Sequence, residues 1–330
     1  MKKQTDSHNP FGDVVSSMAP TFRKFEEFLV AQVSTFSPEI RDAAKFAIIP
    51  KGKYIRPTLV MSAAAESAGL DTVVRRSAVV ELAHLSTLIH DDVIDNASVR
   101  RSLPTANSRY GARTAILLGD VIFSHVMVMA VEDPDRRVIE EVSKCMRVIC
   151  EGEIRQTLSD KTDLVSRARY YDMVYGKTGA LFELSCRLGA MATGSRGWES
   201  AAAEAGKELG IAYQIYDDVC DWFMSEAQAG KTLGTDLVSG KQTFPLIIML
   251  ERLSKDKARE FVKNLPSSDF LEIRRRMFEE GVLGECSSEI LNRIALAEAA
   301  LEKFPNLNAR LLDCCAAFRR MDGVCNRSQL

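Results

Sequence analysis

Six aspartates in two copies of one pattern, Asp91-Asp92-Val93-Ile94-Asp95 and Asp217-Asp218-Val219-Cys220-Asp221, are the residues of this chain best suited to chemistry. Side chains four apart on a helix stand one turn above each other, so Asp91 faces the same way as Asp95 and Asp217 the same way as Asp221. Carboxylates so placed repel unless a cation lies between them. Both patterns follow apolar stretches, Leu85 to Ile89 and Ile211 to Tyr216. The acids therefore belong at the mouth of an apolar cavity, where unpaired charge is costly. Magnesium suits this setting, because it takes oxygen ligands, keeps several waters and bridges one or two carboxylates to a substrate phosphate. Calcium fits less well, since the EF-hand spacing and its glycine are missing. A solvated acidic helix face explains one such pattern better than a metal does; two copies, each ending an apolar helix, reverse that preference. Glu81-x-x-His84 has the spacing of a di-iron site, but such sites need a second copy, and none occurs.

A diphosphate held by metal also needs protein cations, and arginine's planar fork binds phosphate oxygens in pairs. Lys53 and Arg56 lie in Gly52-Lys53-Tyr54-Ile55-Arg56-Pro57, beside a glycine that lets backbone approach a ligand. Arg100 and Arg101 come just after the first acidic pattern, Lys177 sits in Gly176-Lys177-Thr178-Gly179, and Lys231 and Lys241 follow the second pattern. One such residue alone reads as an ordinary surface charge. These accompany acids at the same helix ends, which favours a phosphate site.

The elements that must carry these residues are helices. No proline occurs between Pro134 and Pro245, and Ser37-Pro38-Glu39 and Asp133-Pro134-Asp135 each read as an N-cap, a first-turn proline and an acid. Ile290, Ile294, Ala297 and Leu301 recur at helical spacing. Ala78 to Ile89 and Thr114 to Ala130 are apolar nearly all round and read as central helices. The β-branched run from Val121 to Ala130 could be a strand, but it continues a helix-length segment without a turn signal. Segments near 135–160, 166–192, 198–226 and 241–254 complete the series. No repeat or linker divides the chain, so residues 1–330 read as one all-α domain, a large helical bundle, with 1–20 as a loosely packed N-terminal segment.

Composition sets the boundaries. A 46% hydrophobic and 27% charged chain has material for a sizeable core, and a net charge of -2 argues against a nucleic-acid partner. The cysteines at 145, 150, 186, 220, 286, 314, 315 and 325 show no zinc-like pairing and read as free thiols of a reducing cytoplasm. Met1 to Pro10 is polar and has no signal-peptide core, and no apolar run is expected to approach the roughly 20 residues that span a bilayer.

From about Lys51 to Leu250 the chain resembles the trans-type prenyl diphosphate synthases, or polyprenyl synthetases. The resemblance rests on an ordered set: Gly52-Lys53-x-x-Arg56-Pro57, Glu81-x-x-His84 leading into His90-Asp91-Asp92-x-x-Asp95, and Arg100-Arg101 with Pro104-Thr105-Ala106-Asn107. Gly119-Asp120, Glu151-Gly152-Glu153 and Gly176-Lys177-Thr178 follow, then Gln214-x-x-Asp217-Asp218-x-x-Asp221 with Gly230-Lys231 and Gly240-Lys241. Each motif is weak alone and specific in this order. Three positions depart from the usual pattern: Lys51 for a second glycine, Tyr54 for a basic residue and Ser102 for a glycine. None removes an implied ligand.

The resemblance implies the isoprenoid-synthase fold, a homodimer and magnesium, three ions with substrate bound. Asp91, Asp95 and Asp217 would be the main ligands, with Asp92, Asp218 and Asp221 completing the acidic lining. Arg100, Lys177, Lys231 and Lys241 would help hold the allylic diphosphate. Gly52, Lys53, Arg56, His84 and Arg101 would form the metal-free pocket for isopentenyl diphosphate, and Gln214, Lys177 and Thr178 would face the developing carbocation. The small residues Thr87, Ser86 and Ala83, which precede Asp91 on the same helix, would line the tail tunnel, with Phe123, Met127 and Met129 toward its far end. With nothing bulky near the mouth, the expected product is medium to long rather than farnesyl or geranylgeranyl diphosphate. A terpene cyclase needs no isopentenyl pocket, and a non-catalytic subunit of a heteromeric synthase tends to lose one aspartate motif; this chain keeps both.

Overall fold

Leu70–Ile94 has apolar or small residues on nearly every side, and it forms a 25-residue helix whose buried positions run from Val73 to Asp92. Arg196–Phe223 forms a second long helix of 28 residues, buried from Trp198 to Phe223. These two rods carry the two acidic patterns. The computed structural model describes residues 10–50, 52–65, 68–100, 103–158, 163–224, 237 and 240–325, the side chains of 266 and 323–325 excepted.

The chain runs through α1 (Gly12–Ser17), α2 (Ala19–Gln32), α3 (Pro38–Ile48), α4 (Ile55–Ala63) and α5 (Leu70–Ile94) to a short hairpin, β1 (Val99–Arg100) and β2 (Leu103–Pro104). It continues through α6 (Ala106–Tyr110), α7 (Ala112–Val131), α8 (Arg137–Leu158), α9 (Arg167–Val174), a π-turn (Tyr175–Gly179), α10 (Ala180–Met191) and α11 (Arg196–Phe223). Among the helices that follow are Phe244–Glu251, Phe270–Glu279, Val282–Leu301 and Ala309–Cys325. α10 packs between α4 and α11, α7 lies along α5, and Val282–Leu301 lies along α11. The fold is all-α, with the hairpin pairing Val99 with Pro104 and Arg100 with Leu103 as its one antiparallel ladder among the described residues.

Several local expectations need correction. Ser37 and Pro38 do begin α3, but Asp133-Pro134-Asp135 does not begin α8, which starts at Arg137. The Asp133 carboxylate is used elsewhere. It accepts from Nε and Nη2 of the buried Arg76, each at 2.9 Å, while Arg76 Nη1 reaches the Leu188 carbonyl at 3.0 Å. Asp135 takes the capping position instead, accepting from the Arg137 N–H at 3.1 Å. The N-terminal segment is not loose from residue 11 onward: Phe11, Val14 and Met18 are buried, and the Phe11 ring meets Phe318 edge-on at 5.0 Å. Residues 1–9 lie outside the described residues.

The segment from Thr114 to Ala130 is a helix, as expected, but not a central one. Ala115, Leu118, Gly119, Ile122, Val126 and Met129 of α7 are buried, whereas Ile116, Leu117, Val128 and Val131 are exposed. One stripe faces α5 and the other faces outward, which is why the helix is apolar all round. At 20 residues and a mean hydropathy of 1.9, α7 is also long and apolar enough to cross a bilayer, which corrects the expectation that no such run exists. Among the described residues no disulfide joins the cysteines; Cys145, Cys186, Cys220, Cys286, Cys314 and Cys315 are buried and Cys150 is exposed.

Candidate active site

Helical geometry divides the acids into two sets. Asp91 and Asp217 are half-buried and Asp95 is exposed, whereas Asp92, Asp218 and Asp221 are only 5%, 6% and 1% exposed. Asp92 is turned to the hairpin, where its Oδ1 accepts from Arg100 Nε at 2.7 Å. The six carboxylates are thus unequally exposed, with Asp92, Asp218 and Asp221 turned inward. Burial pushes the Asp91 carboxyl up to about 6; the Lys177 ammonium opposes this, while Glu153 and Asp95 add to it. Burial likewise raises Asp92, against the hydrogen bond and charge of Arg100.

The expected helix over 166–192 is interrupted by the π-turn, a feature frequent at functional sites because it re-aims side chains. Gly176 of this turn approaches Gly152 of α8 so closely that a Cβ on either would lie 3.3 Å from the other's backbone. That approach brings Lys177 Nζ to 3.0 Å from the Glu153 carboxylate. Lys177 and Thr178, adjacent in sequence, link the two acidic helices: Lys177 acts electrostatically on Asp91, and Thr178 donates to Gln214 Oε1 at 2.8 Å, one turn before Asp218.

A buried network continues from there. Gln214 Nε2 donates to Asp218 Oδ1 at 3.0 Å, and Asp218 Oδ2 accepts from the Tyr170 hydroxyl at 2.7 Å and from the Phe244 N–H at 3.0 Å. The Tyr170 ring lies 5.1 Å from that of Phe244. Burial, reinforced by Asp218, holds the Tyr170 phenol well above its ordinary range. Tyr170, Glu153 and the Phe244 N–H had no role in the sequence reading. Glu153 lay in a recognised motif, but no local signal marks Tyr170, whose partner is 48 positions away.

Another contact sits behind the first motif. His90 Nε2 lies 3.1 Å from the Ile116 carbonyl and 3.3 Å from Asp120. Gly119 makes room for the ring, since a Cβ there would come within 2.3 Å of His90 Nε2.

The remaining candidates are distributed around this centre. Arg56 is half-buried with its guanidinium 5.0 Å from the Phe182 ring centre, Lys53 is exposed, and Gly52 and His84 are half-buried. Tyr54, between Lys53 and Arg56, is left-handed at φ 49 and meets the Phe25 ring edge-on. Lys241 is half-buried; Arg101 and Lys231 lie outside the described residues. Thr87 is half-buried one turn before Asp91, whereas Ala83 and Ser86 are fully buried, the Ser86 hydroxyl donating to the Ala83 carbonyl at 2.8 Å. A cleft of about 750 Å³ lies on another side of α5, between α3 and the hairpin; Asp92 and Arg100 line it, but Asp91, Asp95 and Asp217 do not.

Among the described residues no three His, Cys, Asp or Glu side chains converge into a metal cage. Magnesium does not require one, because water and phosphate oxygens complete its shell. Asp91 on α5, Asp95 just past its end and Asp217 on α11 are carboxylates that could contribute oxygen to such a shell.

Residues 37–275 match the polyprenyl synthetase family. The chain belongs to that family. Its members are prenyltransferases, and so is this chain. The all-trans-nonaprenyl-diphosphate synthase (geranyl-diphosphate specific) of Rhodobacter capsulatus is 27% identical over 303 residues, covering 90% of this chain and 93% of that one. A short chain isoprenyl diphosphate synthase of Methanothermobacter thermautotrophicus is 31% identical over 297 residues, covering 86% and 91%. The crystal structure of a Caulobacter crescentus polyprenyl synthase complexed with calcium and isoprenyl diphosphate superposes with a TM-score of 0.83 at 28% identity, over 96% of this chain and 97% of that one. The family's all-helical fold is thus shared almost end to end, while the relatives' own names span short and long products.

Proposed function

We propose that this chain condenses isopentenyl diphosphate with an allylic diphosphate primer of about ten to twenty carbons, giving a medium-to-long all-trans polyprenyl diphosphate. One observation carries the reading: at a single turn Lys177 pairs with Glu153, its charge acting on Asp91, while Thr178 bonds to Gln214 one turn before Asp218. The acids that hold metal, the cation that meets the leaving group and the amide that faces the reacting carbon thereby share one site.

Asp91, Asp95 and Asp217 would hold magnesium, which supplies positive charge against the diphosphate as it departs. Lys177, Lys241 and Lys231 bind the same diphosphate, and Arg100 steadies Asp92 beside it. Gly52, Lys53, Arg56, His84 and Arg101 hold isopentenyl diphosphate with its double bond next to the allylic carbon, which makes the attack effectively intramolecular. Gln214 and Thr178 offer oxygen to the carbon that becomes positive, and once the new carbon–carbon bond has formed the product cation loses a proton to the released diphosphate. The apolar residues behind the acids exclude water that would otherwise capture it.

Product length rests on the side chains below Asp91. Thr87, half-buried and on the Asp91 face, is the residue best able to meet the tail; Ser86 and Ala83 are packed inside. No aromatic side chain stands at any of the three, which supports growth beyond fifteen carbons. The exposed Ile116, Leu117, Val128 and Val131 of α7 make that face the best candidate for contact with a second copy. The core, continuous from Phe11 to Met321, supports reading 1–330 as one domain, and the free cysteines suit a cytoplasmic location.

Radiolabelled isopentenyl diphosphate, incubated with geranyl or farnesyl diphosphate with and without magnesium, tests the reading. Chromatography of the dephosphorylated product gives its length. No elongated product from any primer overturns the proposal and leaves the non-catalytic subunit as the better account.

A further inference from the structure

We infer that Asp218 and Tyr170 are positioning residues that decide which end of the Gln214 amide faces the reacting carbon. This rests on the synthase reading above and assigns Asp218 a role different from that of its neighbour Asp217.

The inference starts from hydrogen-bond capacity. A primary amide has one end that only donates and one that only accepts, and a half turn about its last bond exchanges them. The surroundings of Gln214 permit one arrangement. Its Nε2 lies 3.0 Å from Asp218 Oδ1, and an ionised carboxylate can only accept, so the NH₂ end must point there. Its Oε1 then faces the π-turn and accepts from the Thr178 hydroxyl at 2.8 Å. A carbonyl oxygen has two lone pairs, and Thr178 uses one.

The sign of the amide dipole matters here. The oxygen end carries partial negative charge and stabilises an allylic cation; the NH₂ end carries partial positive charge and would oppose it. In a site with little water neither effect is screened much. Asp218 is suited to hold the amide because it is itself held. Its other oxygen accepts from Tyr170 Oη at 2.7 Å and from the Phe244 N–H at 3.0 Å, so three donors converge on a carboxylate that is 6% exposed. Phe244 begins a helix, and its N–H is among the first-turn donors that have no partner within that helix. Asp218 therefore fastens the segment after Lys241 to α11 as it orients Gln214. A carboxylate with these three donors is poorly placed to coordinate magnesium as well.

Asp218→Asn separates the two roles. Its amide can present NH₂ to Gln214, which lets Gln214 turn its own NH₂ toward the reacting carbon. We expect kcat to fall by on the order of 100-fold, with both KM values and the magnesium concentration for half-activation within about twofold of the original protein. Tyr170→Phe keeps the packed ring and removes one donor; kcat should fall about 3- to 10-fold, again without a change in magnesium dependence. Asp217→Asn is the comparator, and there the magnesium requirement should rise. Circular dichroism establishes that each variant is folded, and Tyr170→Phe alone carries the test if Asp218→Asn is not. Recovery of Asp218→Asn by excess magnesium would make Asp218 a metal ligand and overturn the inference. So would an unchanged kcat in the folded variants, or a rise above about fivefold in either KM. Absence of activity in the unmodified protein, by contrast, refutes the synthase reading itself.

Discussion

Replacing Arg76 by Met tests how the metal-bearing helix is anchored. Arg76, near the start of α5, has its side chain 4% exposed, and its partner Asp133 is 1% exposed. The guanidinium donates twice to Asp133 and once to the Leu188 carbonyl, so one side chain ties α5 to the α7–α8 connection and to α10. The Met variant strands a carboxylate that still accepts from the Asp135 N–H at 2.9 Å. Breaking one side of a buried pair costs about 3–5 kcal/mol, because the survivor keeps its desolvation penalty and loses its counter-charge. The double variant Arg76→Met/Asp133→Leu removes both charges and should recover most of the loss, ending within about 1–2 kcal/mol of the original. Chemical denaturation followed by circular dichroism, applied to both single variants and the double, measures the coupling between the two positions. A coupling below about 1 kcal/mol, or a double variant no more stable than Arg76→Met, would refute the reasoning: the pair would then act as two separately hydrated charges.

Other changes probe the site directly. Asp91→Asn or Asp217→Asn should lower kcat/KM by on the order of 100-fold or more and raise the magnesium concentration needed; near-normal kinetics at low magnesium would remove either residue from the donor set. Thr87→Phe should shorten the product by at least one five-carbon unit, read from the chromatographic profile, whereas Ser86→Phe should chiefly destabilise the fold by about 1–3 kcal/mol through overpacking. Identical product profiles in Thr87→Phe and the original would place the tail elsewhere. Gly119→Ala should cost about 1–3 kcal/mol by displacing the His90 ring, seen as a lower melting temperature; an unchanged melting temperature would mean that the ring swings aside freely.

Legibility from sequence followed the range of the interactions. The helix start at Ser37-Pro38 and the helix over Ala78 to Ile89 were readable because capping and apolar periodicity act within one or two turns. α7 shows the limit of that logic. Its composition announces an apolar helix but cannot say whether both stripes meet protein, and one of them does not. Asp133-Pro134-Asp135 fits a helix start locally, yet Arg76, 57 positions away, takes the first carboxylate, and the helix begins later. The π-turn at Tyr175–Gly179 was invisible for a similar reason: its glycines serve the contact with Gly152 on another helix.

The sequence by itself determined that this is an all-helical polyprenyl synthetase with two acidic patterns at helix ends, because residue type and spacing along one helix are local properties. Folding alone settles which acids are buried and which donors meet them. Six aspartates in two D-D-x-x-D patterns divide into more exposed and buried ones, and Arg100, Tyr170 and the Phe244 N–H reach the buried Asp92 and Asp218 from outside their helices. A carboxylate's role depends on which donors reach it, and those donors are brought near only by folding.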